Sequence, residues 1–409
     1  MASLMPNELY NSTGIVPITG IINSPRRINL EGNVNIDLLP PDYSVLDSSL
    51  YAINDTYYAY TTRGCKNRCS WCGVPKIEPE FDDYIDIKPS INKLRKEFGD
   101  KPALRLMDNN VLASNKLEKI VEDLEALGYG KDNYTETQPK RRRFVDFNQG
   151  LDASFYNNKT MGLLSRLNIR PMRIAFDRFK EKKQYLAALE IAHKYGFAEF
   201  SNYMLYNFKD TPKDLYERLL INIRLNERWH FKNAKHASGS IYSYPMRFAP
   251  IIDISGRADN KFRDIVDIQP SAKRDWKNNP AWTRRFIRNI ELMKGAAHGA
   301  ISPTPSLATR TIGKTFQEFV ANLYMPEELL RNRNKHEKRV YRYEPKRKPG
   351  TGLVEEFRKF IVKLLSKQND RFYFFHLAVS DNTTESIKHA LGQTSDKELT
   401  KWLTHYLRP

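Results

Sequence analysis

From Tyr57 onward, short runs rich in β-branched and aromatic residues alternate with longer stretches whose apolar side chains recur at helical spacing. The runs predict six strands, over Tyr57–Thr61, Leu104–Met107, Phe144–Phe147, Met172–Phe176, Ser201–Tyr206 and Ile241–Met246. Helices are predicted between them at Asn115–Leu127, Lys182–Tyr195 and Pro212–Arg228; Leu117, Ile120, Val121 and Leu124 form one stripe, and Pro212 suits a first helical turn. Such alternation is the mark of βα units on a parallel sheet, and repeated right-handed crossovers curl the sheet toward a barrel. The reading is an α/β fold: an irregular lead-in over residues 1–50, a partial (β/α)6 TIM-like barrel over 51–265, and a basic, mostly helical C-terminal extension over 266–409. In the last part Val354–Gln368 sets Val354, Phe357, Phe360, Ile361, Leu364 and Leu365 along one face, so that segment should pack.

In a barrel of this kind chemistry sits at the C-terminal ends of the strands. Polar residues recur there: a cysteine loop after the first strand, Asp108, Asn109 and Asn110 after the second, and Asn148 and Gln149 after the third. Asp177, Asn207 and Arg247 follow the fourth, fifth and sixth. Each alone is as readily a helix cap or turn residue; their recurrence is the signal.

Three cysteines occur, all within eight positions, which rules out a disulfide framework across the fold and points to a metal or redox centre. They stand as Thr61-Thr-Arg-Gly-Cys65-Lys-Asn-Arg-Cys69-Ser-Trp-Cys72, the form C-x3-C-x2-C. Three thiolates on one loop can hold three corners of a [4Fe-4S] cluster and leave one iron open. A Cys3His zinc site would need a near histidine, and the first in the chain is His193; an electron-transfer cluster would normally take a fourth cysteine. Gly64 lets the chain turn out of the strand, while Arg63, Lys66 and Arg68 bring positive charge to an anionic cluster.

A C-x3-C-x2-C loop after the first strand of a βα array resembles the radical S-adenosylmethionine (SAM) superfamily. The resemblance spans roughly residues 55–265 and implies that Cys65, Cys69 and Cys72 ligate the cluster while SAM chelates the fourth iron. Reductive cleavage of SAM then gives methionine and a 5′-deoxyadenosyl radical that abstracts hydrogen from a substrate, with electrons from a flavodoxin- or ferredoxin-like donor. Trp71 matches an aromatic position near the adenine. Asp108, Asn109 and Asn110 stand where the family often carries Gly-Gly-Glu for the methionine amino group, and Gln149, Asp152, Asp177 and Asn207 are the remaining candidate SAM contacts. Leu205–Leu215 is similar to a fifth-strand segment of the family but lacks its glycines, and Cys72-Gly-Val-Pro75 is similar to the branch with the methylthiotransferases and cobalamin-dependent enzymes. With all cysteines spent, no auxiliary cysteine-ligated cluster is expected, and the first 50 residues are too few for a cobalamin domain.

Charge bears on the substrate. The formal net charge is +18, and residues 261–409 hold 29 Lys and Arg against 16 Asp and Glu, so most of the excess lies there. A basic run, Lys140–Arg143, precedes the third strand. The segment 331–348 interleaves Arg331, Arg333, Lys335, Lys338, Arg339, Arg342, Lys346, Arg347 and Lys348 with Tyr341 and Tyr343, a composition suited to phosphates and unpaired bases and equally to a solvated linker. Three functions are therefore open: a radical SAM enzyme acting on nucleic acid, one acting on a peptide or small metabolite, and a non-catalytic nucleic-acid-binding protein braced by a metal cluster. No apolar run approaches the roughly 20 residues of a membrane helix, and no secretory leader is recognisable, so a cytoplasmic location is expected.

Overall fold

The computed structural model describes residues 11–12, 14, 30–31, 34–35, 39–45, 55–231, 239–249, 274–331 and 352–407. It is a mixed α/β chain in two compact units. Among the described residues the first holds those up to 175 together with 183–200, and the second holds 176–182, 201–249 and those from 274 on. The six strands are hydrogen-bonded in two three-stranded sheets, so no closed barrel is formed among the described residues.

In the first unit β1 (Thr56–Ala59) is followed by helix α1 (Lys88–Phe98), β2 (Ala103–Leu106), α2 (Leu117–Ala126), β3 (Phe144–Phe147), α3 (Asn158–Leu164), β4 (Met172–Ala175) and α4 (Lys182–Lys194). β1, β2 and β3 are parallel neighbours, with Tyr57 opposite Leu104 and Leu104 opposite Val145. The chain around β4 joins β3 through parallel bridges between Val145 and Ile169 and between Leu151 and Ile174. Tyr57, Leu104, Leu106, Val145 and Phe147 are buried, as are Ile91 and Leu94 of α1 and the expected stripe Leu117, Ile120, Val121 and Leu124 of α2. The basic run before β3 is absorbed by pairing. Arg141 meets Asp55, Arg142 meets Asp132, and the buried Arg143 donates to both carboxylate oxygens of Asp100 at 2.8 Å. That run offers phosphate little, because its guanidiniums already have carboxylate partners.

The second unit contains most of β5 (Glu199–Tyr206), then α5 (Pro212–Phe231) and β6 (Ser240–Arg247). Asn226 of α5 mimics a strand neighbour: its amide donates to the Ile241 carbonyl and accepts from the Ile241 N–H, at 3.0 and 2.8 Å. Asn222 bonds Asn202 and Ser243 in the same interior. The C-terminal third is helical, as expected: α6 (Arg284–Lys294), α7 (Pro305–Ile312), α8 (Phe316–Tyr324), α9 (Leu353–Lys367), α10 (Asp370–Ser380), α11 (Thr384–Gln393) and α12 (Lys397–Thr404). α9 buries Phe357, Phe360, Ile361, Leu364 and Leu365, the face read from the sequence.

At the centre of this helical region His376 is fully buried between Trp276, Tyr324 and Phe372, with the Tyr324 hydroxyl 2.7 Å from Nδ1. Burial holds the imidazole neutral and lowers its pKa to about 3. The unfolded imidazole titrates near 6.5, so the stability gained by keeping it neutral is complete above that pH and is lost as the pH falls toward 3. Asp177 and Asp210 act in the opposite sense, since burial raises both to about 6 and folding gains as they protonate below that value. Replacing His376 with Gln should remove only the first component. Urea titrations between about pH 6.5 and 4 should then show the variant gaining on the wild type by roughly 1.4 kcal/mol per pH unit. Parallel curves would exclude His376 as the titrating group.

Candidate functional site

The cysteine loop leaves β1 through Thr61 and Thr62, both buried. One carboxylate oxygen of Asp108, just past β2, accepts from the backbone N–H groups of both threonines and from both hydroxyls, the hydroxyl contacts each at 2.7 Å. Its second oxygen is buried without a hydrogen-bond partner. Burial pushes the Asp108 carboxyl up, against the lowering effect of those four hydrogen bonds. Asp108 therefore fixes the origin of the loop through one oxygen and keeps the other in reserve.

At Gly64 the backbone turns at φ +72°, and a Cβ there would lie 1.9 Å from the carbonyl oxygen of Glu80. Only glycine fits that approach. The loop is closed at its base by a two-way backbone bridge between Arg63 and Asp82, at 3.1 and 2.9 Å, and by the Ile85 N–H on the Thr61 carbonyl. Glu78 adds a second brace. Its carboxylate accepts from the Gly64 N–H at 2.9 Å and from the Asn109 amide at 2.8 Å, and it pairs with Arg63 at 2.9 Å.

Cys65, Cys69 and Cys72 are each partly exposed, and none is in a disulfide. The Cys72 N–H donates to the Cys69 carbonyl, so the last two share a tight turn with the half-buried Trp71 on it. The Asn67 backbone N–H lies 3.3 Å and the Asn110 amide nitrogen 3.6 Å from the Cys65 sulfur, and both point their hydrogens at it. Asp152 accepts from the Asn67 and Asn110 amides with one oxygen, and with the other it caps the short turn that follows by accepting from the Ser154 N–H and hydroxyl. Lys66 and Arg68 are turned back onto the protein, donating to the carbonyls of Ala113 and Pro79.

Of the residues singled out from the sequence, the structure gathers Asp108, Asn109, Asn110 and Asp152 onto the cysteine loop or its braces, and leaves Gln149 exposed in the turn after β3. Asp177 and Asn207 belong to the second unit. The Asp177 carboxylate accepts from the Leu205 N–H at 3.1 Å, and its carbonyl and that of Phe176 accept from the buried Arg218, which also meets Asp210 at 3.0 Å. Asn207 adopts φ +64°, a left-handed turn that asparagine tolerates, with its side-chain oxygen buried and without a partner. Arg331 is half exposed beside Glu327; Arg333, Lys335, Lys338, Arg339, Tyr341, Arg342, Tyr343, Lys346, Arg347 and Lys348 lie outside the described residues.

Sequence reasoning passed over a polar row across the first sheet. Tyr58, Arg105 and Asp146 are register partners on β1, β2 and β3. Asp146 is gripped by Arg105 at 3.1 Å and by Arg173 of β4 at 2.6 Å. The signal was a charged residue between two buried apolar ones, as in Leu104-Arg105-Leu106, Val145-Asp146-Phe147 and Met172-Arg173-Ile174. One sheet face is thus polar, with two guanidiniums on one carboxylate.

Three soft sulfur donors on one braced loop are a donor set suited to iron-sulfur chemistry. Among the described residues, no three His, Cys, Asp or Glu side chains come together as ligands of a single metal ion. A multi-iron cluster asks less, because each thiolate takes a different iron and the sulfurs need not meet at one point. No described helix is long and apolar enough to cross a membrane.

No family model matches the sequence, and no curated protein matches it. Among solved structures, the crystal structure of Streptococcus suis SuiB bound to precursor peptide SuiA is similar at 10% identity and a TM-score of 0.37, over 78% of this chain. The chain spans 65% of the length of that solved chain, and at this score the likeness bears on neither family nor chemistry.

Proposed function

We propose that this chain is a radical SAM enzyme whose cluster is held by Cys65, Cys69 and Cys72. One observation carries the reading: three cysteines in the order C-x3-C-x2-C sit on a single braced loop directly after the first strand of a parallel sheet. When bound, a [4Fe-4S] cluster with SAM on its open iron supplies the electron for reductive cleavage of SAM and so begins hydrogen abstraction from a substrate.

The protein's own part is positional. Asp108 fixes the entry of the loop at Thr61, Glu78 ties Gly64 to the chain that follows the loop, and the Asn67 and Asn110 N–H groups face the Cys65 sulfur. Hydrogen bonds of that kind raise a cluster's potential and ease its reduction. Trp71, Asp108, Asn109, Asn110, Gln149 and Asp152, all in the first unit, are the proposed SAM contacts. The free oxygen of Asp108 and that of Asn110 are buried polar atoms without partners, which suits them to a zwitterionic ligand. A flavodoxin- or ferredoxin-like protein would supply the electron. For the substrate, the +18 charge is what supports a nucleic acid, and it does not set that reading above a peptide or small metabolite.

Anaerobic reconstitution with iron and sulfide, followed by dithionite and SAM, should yield 5′-deoxyadenosine and methionine by mass spectrometry. Cys69→Ala should give neither. A fully loaded wild-type protein that leaves SAM intact would replace this reading with that of a binding protein braced by its cluster.

A further inference from the structure

Across the first sheet Tyr58, Arg105 and Asp146 stand side by side in register. Their chain neighbours Tyr57, Leu104 and Val145 belong to the opposite face, where the Tyr57 hydroxyl reaches the Leu94 carbonyl of α1. Asp146 is 3% exposed, and the Arg173 fork takes both its oxygens, through Nε at 2.6 Å and Nη2 at 2.8 Å. Arg105 is left with one contact on that carboxylate, from Nε at 3.1 Å. The far end of its guanidinium meets the Tyr58 hydroxyl oxygen from Nη1 at 3.4 Å, and Nη2 has no hydrogen-bond partner among the described residues. The proton of the Tyr58 hydroxyl likewise has no acceptor among them. Arg105 is 32% exposed, so this corner of donors without acceptors is within reach of a ligand.

We propose that Arg105 and Tyr58 bind a carboxylate group of the substrate. A charged row on a sheet is a poor device for stability, because desolvation offsets the attraction. What the row does achieve is direction: Asp146, itself clamped by Arg173, ties the Nε side of Arg105 and leaves the Nη1–Nη2 edge open beside Tyr58. A planar carboxylate matches that edge with two oxygens, and the Tyr58 hydroxyl can donate to one of them. One open guanidinium edge calls for one negative charge. A phosphate monoester carries close to two, and the other cation of the row already spends two nitrogens on Asp146. The site's role toward a substrate rests on the radical SAM reading. Arg105 precedes Asp108, the anchor of the cysteine loop, by three residues, roughly 10 Å along the strand. A substrate held there by its carboxylate would be tethered close to the cysteine loop.

The test uses the full-length protein without SAM or reductant and reads the fluorescence anisotropy of dansyl-glycine, whose single charge at neutral pH is its carboxylate. Arg105→Gln should bind it about tenfold more weakly, and Tyr58→Phe about threefold. Dansyl-glycinamide, which lacks the charge, should bind the wild type and both variants alike, about tenfold more weakly than the wild type binds the acid. Arg170→Gln, which removes an exposed arginine of the same unit, should match the wild type. Wild-type affinity for the acid in Arg105→Gln, or equal affinity of the wild type for acid and amide, would overturn the proposal. So would binding of dansyl-phosphoethanolamine or its methyl diester as tight as that of the acid and lost in the same variant, which would mark a phosphate site. Should Arg105→Gln melt early by circular dichroism, Tyr58→Phe decides, because it keeps every charge: weaker acid binding with unchanged amide binding upholds the site, and wild-type binding removes it. The two readings fail separately. SAM cleavage by a protein whose Arg105→Gln variant binds the acid normally removes this site alone; Arg105-dependent binding by a loaded protein that leaves SAM intact removes the radical reading alone.

Discussion

Replacing Gly64 with alanine is expected to abolish iron-sulfur loading while leaving most of the fold intact. The added Cβ would stand 1.9 Å from the Glu80 carbonyl oxygen, a contact with backbone that no rotamer can relieve. The φ of +72° adds a conformational cost of about 1–2 kcal/mol for any residue with a Cβ. To accommodate both, the chain must release either the Gly64 N–H from Glu78 or the Arg63–Asp82 bridge, and Cys65 follows directly. Iron and sulfide content after anaerobic reconstitution, with the charge-transfer absorbance of the cluster, would read the loss. A Gly64→Ala protein that loads as the wild type does would mean that the loop tolerates another path and that its close turn is incidental.

Asp108→Ala is expected to have the largest effect on stability. The substitution strands two backbone N–H groups and two hydroxyls that now share one carboxylate oxygen, at positions where Thr61 and Thr62 are all but inaccessible to water. At about 1–3 kcal/mol for each buried donor left unpaired, reduced by whatever water enters the space, the loss should be on the order of 3–6 kcal/mol. Equilibrium unfolding in urea would measure it, and Asp108→Asn should restore a substantial part because its side-chain oxygen can accept the same bonds. A loss below about 1 kcal/mol for the alanine variant would show that the threonines find other acceptors.

Five of the six strands were legible because they couple β-branched or aromatic residues to a polar stop, and Leu104–Met107 because its apolar run ends at Asp108; the structure keeps every one to within two residues at either end. Helix α1 was not, since Ile91 and Leu94 are its buried residues and lysines and a proline surround them; its place is set by packing on Tyr57, whose hydroxyl reaches the Leu94 carbonyl. Helix α3 is too short to show a period. At the site, the cysteines announced themselves through spacing, but their braces did not. Nothing local in Glu78 or Asp82 signals that the chain returns to Gly64 and Arg63, because that pairing exists only after the loop has folded back. Asp108 was read as a ligand contact from its place after a strand; its hydrogen bonds to Thr61 and Thr62 depend on the neighbouring strand, which sequence order cannot reveal. The Arg105–Asp146–Arg173 row is also a property of register, visible only when the strands lie side by side.

The closed base of the cysteine loop decides where the conformational entropy of the site is spent. A loop of this length held only by metal would have to be ordered by the metal, and its binding energy would be drawn down accordingly. Here the Arg63–Asp82 bridge, the Glu78 brace and the Asp108 anchor restrict the chain as part of folding. The base of the loop is therefore ordered by folding itself, and a cluster held there would be taken up by an already folded chain, unlike in domains that are unfolded until their ion arrives.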